Sequence, residues 1–213
     1  MQKIFGIEKY NFYLSDITTS IIYNDESIKN KIITELQKES YLVIDTKIFN
    51  ANITVKEYLK LAKFNMKLIP YFDIEKYLST KISSLSFETQ IYLKIITLIN
   101  VKDKTIVFDD VLTFLNPLQK SYIIKYLKDN ELTYFNFTSD IEEILYTKYL
   151  IVTSKDGVII EGKTRSVLNE EKLLKRSGFA LPFSVDLSHQ LKDYGLIDKE
   201  YYSIDKLVND LWQ

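Results

Sequence analysis

The sequence predicts an α/β fold with a mostly parallel sheet, and three observations lead to this class. A largely apolar run at residues 91–99 follows Ser86, which stands where a helix N-cap belongs. The β-branched run at 105–108 is typical of a strand that is covered on both faces. A helical pattern and another strand pattern follow, so residues 105–137 predict a βαβ unit, whose two strands are parallel.

Strands and helices also alternate ahead of this unit. Short strands are predicted at residues 13–17, 20–22 and 41–45. A short helix that ends near Leu36 lies between the last two strands. Thr54 and Glu57 have the spacing of a capping box, which predicts the start of another helix. Residues 55–83 then predict two or three short helices with a break near Pro70.

The chain after residue 137 predicts a helix that begins at Asp140, then a hairpin and C-terminal helices. The hairpin strands at 149–153 and 158–161 flank an Asp-Gly pair, which is a strong turn signal. Apolar residues recur every four positions and predict one amphipathic stripe at Phe183, Leu187 and Leu191. His189 lies on this helix, where we expect an exposed side chain without a partner. Residues 201–212 predict a short docking helix.

Composition excludes several classes of function. The chain has 213 residues, a formal net charge of −1, no cysteine and one histidine. These counts exclude a disulfide framework, a thiolate nucleophile and a histidine-cluster metal site. The balanced charge gives no general attraction to nucleic acid, so no nucleic-acid partner is expected. The N-terminus lacks a signal-peptide core and no apolar run reaches membrane-spanning length, so we expect a cytoplasmic protein.

Two acids, Asp109 and Asp110, follow the buried strand of the βαβ unit. Ligands of open α/β sheets bind beyond the carboxyl ends of the strands, and carboxylates there favour a phosphate–Mg²⁺ site. The alternative is that both acids cap the next turn.

Glycine is missing where a phosphate-binding loop would need it. The five glycines are Gly6, Gly157, Gly162, Gly178 and Gly195, so none lies between residues 7 and 156. A phosphate-binding loop presents backbone N–H groups in conformations that side chains resist. An ordinary residue in the left-handed region costs on the order of 1–2 kcal/mol. An ordinary glycine-rich loop is therefore excluded.

Residues 85–117 carry a family resemblance. LSFET, then VFDD, then LNP resemble the signature motif, the Walker B strand and the D-loop of ATP-binding cassette (ABC) ATPases. The tail GFALPF, with the helix after it, is similar to that of the ATPases of energy-coupling factor (ECF) transporters. The resemblance implies a P-loop NTPase-like fold with a reduced antiparallel β-subdomain and a helical subdomain at about 55–100. It also implies a cassette domain over 1–170 and a dimerisation or docking extension over 171–213.

The resemblance places a Walker A loop at residues 23–30. Lys29 falls on the lysine that contacts phosphate, while Asn30 replaces the Ser or Thr that holds Mg²⁺. Ser27 is the remaining nucleotide-binding candidate of the loop. Tyr23 and Ile28 replace the two glycines, and the acids between them would repel phosphate. For Lys29 the alternative is a solvated lysine at the start of a helix.

Five further positions complete the implied nucleotide site. Asp45 is nearest to the Q-loop glutamine, and Ser86 is the signature serine offered to a partner's site. Asp109 is the expected Mg²⁺ carboxylate. Asp110 stands for the catalytic glutamate, and Ser139 stands for the switch histidine. Aspartate is one methylene shorter than glutamate, and serine cannot take up charge near neutral pH.

These substitutions imply a degenerate ATPase subunit of an ECF-like importer, with weak or no hydrolysis of its own. Its cofactors would be ATP and Mg²⁺, if any. Its partners would be a second, intact ABC ATPase and a membrane-embedded subunit, which would place it on the inner face of the membrane. One alternative is a working ATPase with unusual loops, and another is a scaffold or regulator detached from transport. Adjacent transporter genes would favour the first hypothesis over the last.

Overall fold

The computed structural model describes residues 3–7, 10–14, 17–39, 41–48, 51–100 and 105–212. Contacts divide the chain into two compact units. The terminal unit comprises Met1–Ile28 and Ser139–Gln213, and the central unit comprises Lys29–Thr138.

Strands and helices alternate along the described residues. The strands are β1 (Lys3–Ile7), β2 (Tyr10–Leu14), β3 (Thr19–Tyr23), β4 (Leu42–Ile44), β5 (Ile106–Asp109), β6 (Tyr134–Thr138), β7 (Tyr149–Ser154) and β8 (Gly157–Lys163). The α-helices are α1 (Glu26–Lys38), α2 (Val55–Leu61), α3 (Phe87–Leu98), α4 (Pro117–Asp129), α5 (Thr164–Leu168), α6 (Glu171–Arg176), α7 (Phe183–Asp193) and α8 (Ile204–Leu211). Short 3₁₀ helices connect several of these elements.

Parallel pairing dominates the central unit. Strand β5 pairs with β4 on one side and with β6 on the other, and both pairings are parallel. The predicted βαβ unit is therefore confirmed as β5–α4–β6. Val107 and Phe108, which point to opposite faces of β5, are both fully buried, as a strand that is covered on both faces requires. Helix α3 packs its apolar residues into the same core, where Ile91, Leu93 and Ile95 are fully buried.

Short helices fill the central unit between β4 and α3. The capping box is confirmed, because Thr54 and Glu57 exchange side-chain to backbone hydrogen bonds at the start of α2. Phe72 is 1% exposed and lies among other aromatic rings. Its ring centroid lies 5.0 Å from that of Tyr71, 5.3 Å from that of Tyr126 and 6.4 Å from that of Tyr92. These aromatic residues tie the short helices to α3 and α4.

Among its described residues, the terminal unit combines parallel and antiparallel strand pairings. Strand β3 runs parallel to β7, and β7 turns back antiparallel into β8. Gly157 takes a φ of 127° at the turn, where glycine is favoured, and the predicted Asp-Gly hairpin is confirmed. Strands β1 and β2 pair antiparallel with each other, and β2 contacts β8. Together, the two units give the predicted α/β class with mostly parallel pairing.

Three C-terminal predictions need correction. The helix expected after Asp140 is a 3₁₀ helix at Ile141–Tyr146, which Asp140 caps through the N–H of Glu142. The buried face of α7 is centred on Val185 and Ser188, whereas Phe183 is 62% exposed, so the predicted stripe is only partly right. Small Ser188 lets the chain approach closely, and its hydroxyl accepts a hydrogen bond from the N–H of Tyr201.

The prediction for His189 is wrong. Its Nδ1 lies 3.0 Å from Oε2 of Glu171 on α6, and its side chain is only 14% exposed. The helix predicted at 201–212 is present as α8. No helix in the part of the chain that the structure describes combines the length and apolar character needed to cross a bilayer.

Candidate functional site

The start of α1 is capped by the chain's own carboxylate. Oδ1 of Asp25 accepts hydrogen bonds from the N–H of Ser27 at 2.8 Å and from its hydroxyl at 2.6 Å. The carbonyl of Asp25 accepts from the N–H of Ile28 at 3.2 Å. Free N–H groups and the helix dipole make such an end attractive to anions. Here the carboxylate of Asp25 already accepts from the N–H of Ser27, and its carbonyl accepts from the N–H of Ile28.

Lys29 forms an ion pair with the last residue of β5. Its Nζ lies 3.0 Å from Oδ1 of Asp109, and the two side chains are 10% and 19% exposed. The alternative of a solvated lysine at the helix start is therefore wrong. Burial raises the pKa of Asp109. The ammonium of Lys29 lowers that pKa without offsetting the burial, and Asp110 and Asp45 raise it further.

Asp110 occupies a left-handed turn directly after β5. Its φ is 57°, a conformation that few residues other than glycine adopt and that aspartate tolerates better than most. Its N–H donates to the carbonyl of Phe137 at 2.9 Å, which fixes the turn to β6. Its own carbonyl accepts from the hydroxyl of Thr113. These two hydrogen bonds fix the backbone of Asp110 just beyond the carboxyl end of β5.

Lys94 holds the segment that follows β4. From α3, its ammonium donates to the carboxylate of Asp45, to the carbonyl of Asp45 at 2.8 Å and to the carbonyl of Lys47 at 2.9 Å. Burial opposes ionisation of Asp45. The hydrogen bond and charge of Lys94, assisted by Lys47, outweigh that effect and leave the pKa of Asp45 lowered. No local pattern predicts this contact, because Asp45 and Lys94 are distant along the chain.

Removing this ammonium should destabilise the central unit. We expect Lys94→Met to lower the free energy of unfolding by about 2 kcal/mol at pH 7, because three oxygens lose a charged donor. Since the folded-state pKa of Asp45 is lowered, its stabilising contribution exists above the unfolded pKa and is lost as pH falls through the folded value. The variant should therefore lose less stability at pH 3.5 than at pH 7, as measured by urea denaturation.

Lys47→Met is the matched control for Lys94→Met. The side chain of Lys47 is 89% exposed and its Nζ lies 3.9 Å from Asp45, so its removal should cost less than about 0.5 kcal/mol. Equal losses for the two variants would contradict a specific role for Lys94.

Ser86 caps α3 as predicted, with its hydroxyl accepting from the N–H of Thr89 at 3.3 Å. The next residue, Phe87, stacks edge-on against Phe114, with 5.1 Å between ring centroids. Phe114 directly precedes the LNP segment that resembles a D-loop. Glu88 follows in the first turn of α3 and is exposed. An aromatic side chain and a carboxylate therefore stand where the resemblance would place two glycines.

The other predicted residues, Ser27, Asn30 and Ser139, are all exposed. Ser27 is exposed, and it donates its hydroxyl to Asp25. Asn30 is exposed on α1, where its carbonyl accepts from the hydroxyl of Thr34. Ser139 is exposed directly after β6. Within the central unit, the structure thus brings Lys29 to Asp109, and it brings Asp45 to Lys94, a residue that the sequence did not single out.

The described carboxylates do not fit a Mg²⁺ ion as they are arranged. No group of three or more metal-ligating side chains converges in the described residues. Asp109 already faces the ammonium of Lys29, and Asp45 already faces that of Lys94. A divalent cation needs several oxygen ligands, and an ammonium beside each carboxylate would repel it.

Comparison with known proteins identifies sequence relatives. No family model matches the chain. It is 30% identical over 142 residues to the energy-coupling factor transporter ATP-binding protein EcfA1 of Lactobacillus delbrueckii subsp. bulgaricus, covering 64% of this chain and 50% of that protein. It is 25% identical over 169 residues to the EcfA1 protein of Clostridioides difficile, covering 77% of this chain and 60% of that protein. The chain thus spans 50% of the length of the first of these relatives and 60% of the length of the second.

Solved structures show the fold. One is cbiO1 from Clostridium perfringens, described as part of the ABC transporter complex cbiONQ. It superposes with a TM-score of 0.58 at 18% identity, covering 85% of this chain and 90% of that one. Another is described as the ATP-binding subunit of an ABC transporter. It superposes with a TM-score of 0.59 at 13% identity, covering 96% and 92% of the two chains.

Proposed function

We propose that this chain, a homologue of the ATP-binding proteins of energy-coupling factor transporters with the fold of an ABC ATPase cassette, is a degenerate ATPase subunit. It pairs with an intact ABC ATPase, couples it to a membrane-embedded importer subunit, and hydrolyses little or no ATP itself. The homology supports the ABC ATPase role in general. The loss of hydrolysis, the pairing and the location on the inner face of the membrane are the parts that we propose.

The self-capped start of α1 carries this proposal. A nucleotide phosphate would have to displace the Asp25 carboxylate from the N–H and hydroxyl of Ser27. Two negative groups cannot share those donors without strong repulsion. The side chain of Ile28, which is 4% exposed, takes the place of a loop glycine, so the main chain is less accessible there. Affinity of this loop for ATP is therefore weak or absent.

The signature segment, which the chain would offer to a partner's nucleotide site, is also altered in a way that weakens phosphate binding. Phe87 fills space beside Ser86 and is held by its stacking on Phe114. Glu88 adds a negative charge in the first turn of α3. Both changes oppose the approach of a γ-phosphate to the N–H groups of α3. Coupling and subunit contacts, rather than nucleotide chemistry, are then the contribution of this chain.

The division at residue 170 into a cassette and a C-terminal extension remains part of the proposal.

One observation favours the alternative of a working ATPase. Lys29 and Asp109 retain the residue types of a Walker A lysine and a Walker B aspartate, and they contact each other. A nucleotide could exchange this ion pair for contacts to phosphate and metal. That exchange would also require Asp25 to leave its position, which makes this the weaker candidate.

ATP turnover separates the two candidates. We expect purified protein with Mg²⁺-ATP to show no hydrolysis above the buffer rate. We also expect the single change Asp110→Glu to leave that result unchanged, because the phosphate site itself is closed. The measurement is release of inorganic phosphate over several hours at 1 mM ATP.

Steady turnover that disappears in Asp110→Asn would overturn the proposal and support the working ATPase. Co-expression with an intact energy-coupling factor ATPase and its membrane subunit tests the pairing. The chain should co-purify with both subunits. Failure to associate with any transporter subunit would favour a scaffold that is detached from transport.

A further inference from the structure

The terminal unit contains a cavity of about 920 Å³ that none of the proposed nucleotide residues lines. Its walls come from the start of β7, the end of β8, α5, and residues 200–203 with the first turn of α8. We call it the basic cavity. Its volume falls in the range of cavities that hold small organic ligands, about 300–1,000 Å³.

Positive charge dominates the lining. Its cationic residues are Lys148, Lys163, Arg165 and Lys206, and its one carboxylate is Glu200. The carboxylate of Glu200 already forms an ion pair, because its Oε1 lies 3.0 Å from Nζ of Lys192. The whole chain carries a net charge of −1, so this concentration of positive charge is local.

The cationic side chains of the basic cavity differ from three other lysines of the same unit, which already have a counter-charge. Lys175, Lys192 and Lys199 each pair with at least one carboxylate, at 2.7–3.2 Å. Among the described residues, none of the four cationic side chains in the cavity forms such an ion pair. Like charges held together without counter-charges repel one another, and a bound anion would relieve that repulsion.

Arg165 is oriented before any ligand arrives. Its guanidinium lies over the ring of Tyr202, 4.8 Å from the ring centroid. The hydroxyl of Tyr202 donates to Oε2 of Glu200 at 3.3 Å, which steadies the ring. Stacking occupies a face of the guanidinium, while its N–H edge remains suited to a planar pair of oxygens.

The rest of the lining mixes hydroxyl-bearing residues, such as Thr164, Ser166 and Ser203, with an apolar wall. Ile17, Leu145 and Tyr149 supply aliphatic and aromatic surface beside the charged side chains. A small inorganic ion would leave this surface uncovered, whereas an organic group attached to the anion would cover it. The lining therefore suits a molecule with a multiply charged end and a carbon-rich end.

We propose that the basic cavity binds a small organic pyrophosphate, of which a nucleoside diphosphate is the model. The pyrophosphate meets Arg165 and the three lysines, and the organic group lies against Ile17, Leu145 and Tyr149. This site shares no residue with the loop at 23–30 and needs no metal ion. Its occupancy is independent of whether the chain hydrolyses ATP.

Calorimetric titration tests the site, with ADP and inorganic pyrophosphate as probes in EDTA at low salt. ADP should bind with a dissociation constant on the order of 100 μM. Pyrophosphate should bind more weakly, because it leaves the apolar wall uncovered. Arg165→Ala should weaken ADP binding at least about tenfold, since it removes a bidentate donor. The double variant Lys148→Gln/Lys206→Gln should also weaken binding, by removing two charges without touching the stacked pair.

Two controls locate the bound ADP. Lys175→Gln removes a paired lysine of the same unit and should change the affinity less than about twofold. Lys31→Gln removes an exposed charge next to the loop at 23–30 and should leave ADP binding unchanged, because Lys31 does not line the basic cavity. No ADP binding at 2 mM, equal loss in Lys175→Gln, or loss in Lys31→Gln would each overturn the proposal. None of these outcomes bears on phosphate release or co-purification, which test the proposed function separately.

Discussion

Replacing Lys29 by methionine is expected to lower the free energy of unfolding by about 3 kcal/mol at pH 7. Its ammonium lies 3.0 Å from Asp109 in a site where the two side chains are 10% and 19% exposed. Removing one partner of such a pair leaves a charge that neither water nor the protein solvates well, and losses of about 3–5 kcal/mol are typical. Methionine retains most of the aliphatic stem, so the loss reports the charge rather than packing.

The loss in Lys29→Met should depend on pH. Burial holds the pKa of Asp109 above its usual value even with Lys29 present, and removing the ammonium raises that pKa further. A raised folded-state pKa means that the folded state binds the proton more tightly than the unfolded state does. The stability linked to this group is therefore complete below the unfolded pKa and is lost as pH rises through the folded pKa. The variant should recover toward the wild type as pH falls from 7 to 4.5.

Urea denaturation at several pH values measures both effects, and Lys31→Met is the control. Lys31 lies on α1 but is exposed, so its replacement should change the free energy of unfolding by less than about 0.5 kcal/mol. The double variant Lys29→Met/Asp109→Asn should regain much of the loss, because no buried charge remains. A loss that is independent of pH, or that the double variant fails to reduce, would contradict an electrostatic role for Lys29.

Phe72→Ala is expected to cost about 3–4 kcal/mol, as is typical when a buried aromatic side chain is removed. Phe72 is 1% exposed and meets the rings of Tyr71, Tyr126 and Tyr92. Its carbonyl also accepts a hydrogen bond from the hydroxyl of Tyr92 at 2.9 Å, so a shift of this backbone would strand a buried donor. The change should therefore loosen the short helices from α3 and α4 together.

Leu61→Ser provides the comparison for Phe72→Ala. Leu61 ends α2 in the same part of the central unit but is 73% exposed, so its replacement should be nearly neutral. Denaturation followed by tyrosine fluorescence would report both variants. If Phe72→Ala were as stable as Leu61→Ser, the aromatic residues would belong to an exposed groove rather than to a core.

Local signals explain which parts of the fold the sequence could predict. A capping box, an Asp-Gly turn and a buried β-branched strand each depend on residues within a few positions of one another. For that reason α2, the β7–β8 hairpin and β5 were predicted correctly. The 3₁₀ helix at Ile141–Tyr146 was missed as such, because a single short segment has too few turns for periodicity to separate the two helix types.

The contacts of the candidate site depend on the tertiary fold. Sequence could mark Lys29 and Asp109 only as candidates through a resemblance, and it could not show that they contact each other. No sequence pattern singles out Lys94, because its hydrogen-bond partners follow β4, far away along the chain. His189 was assigned no partner because Glu171 lies on a different helix. Tertiary packing determines which charged residues form ion pairs, and the local spacing of residues along the sequence does not reveal it.

The Asp25 carboxylate gives the start of α1 an anion that cannot diffuse away. A tethered group two positions from its donor acts at a high effective concentration, because it cannot leave the neighbourhood of that donor. We therefore expect the order of this helix end to be the same with and without dissolved phosphate compounds.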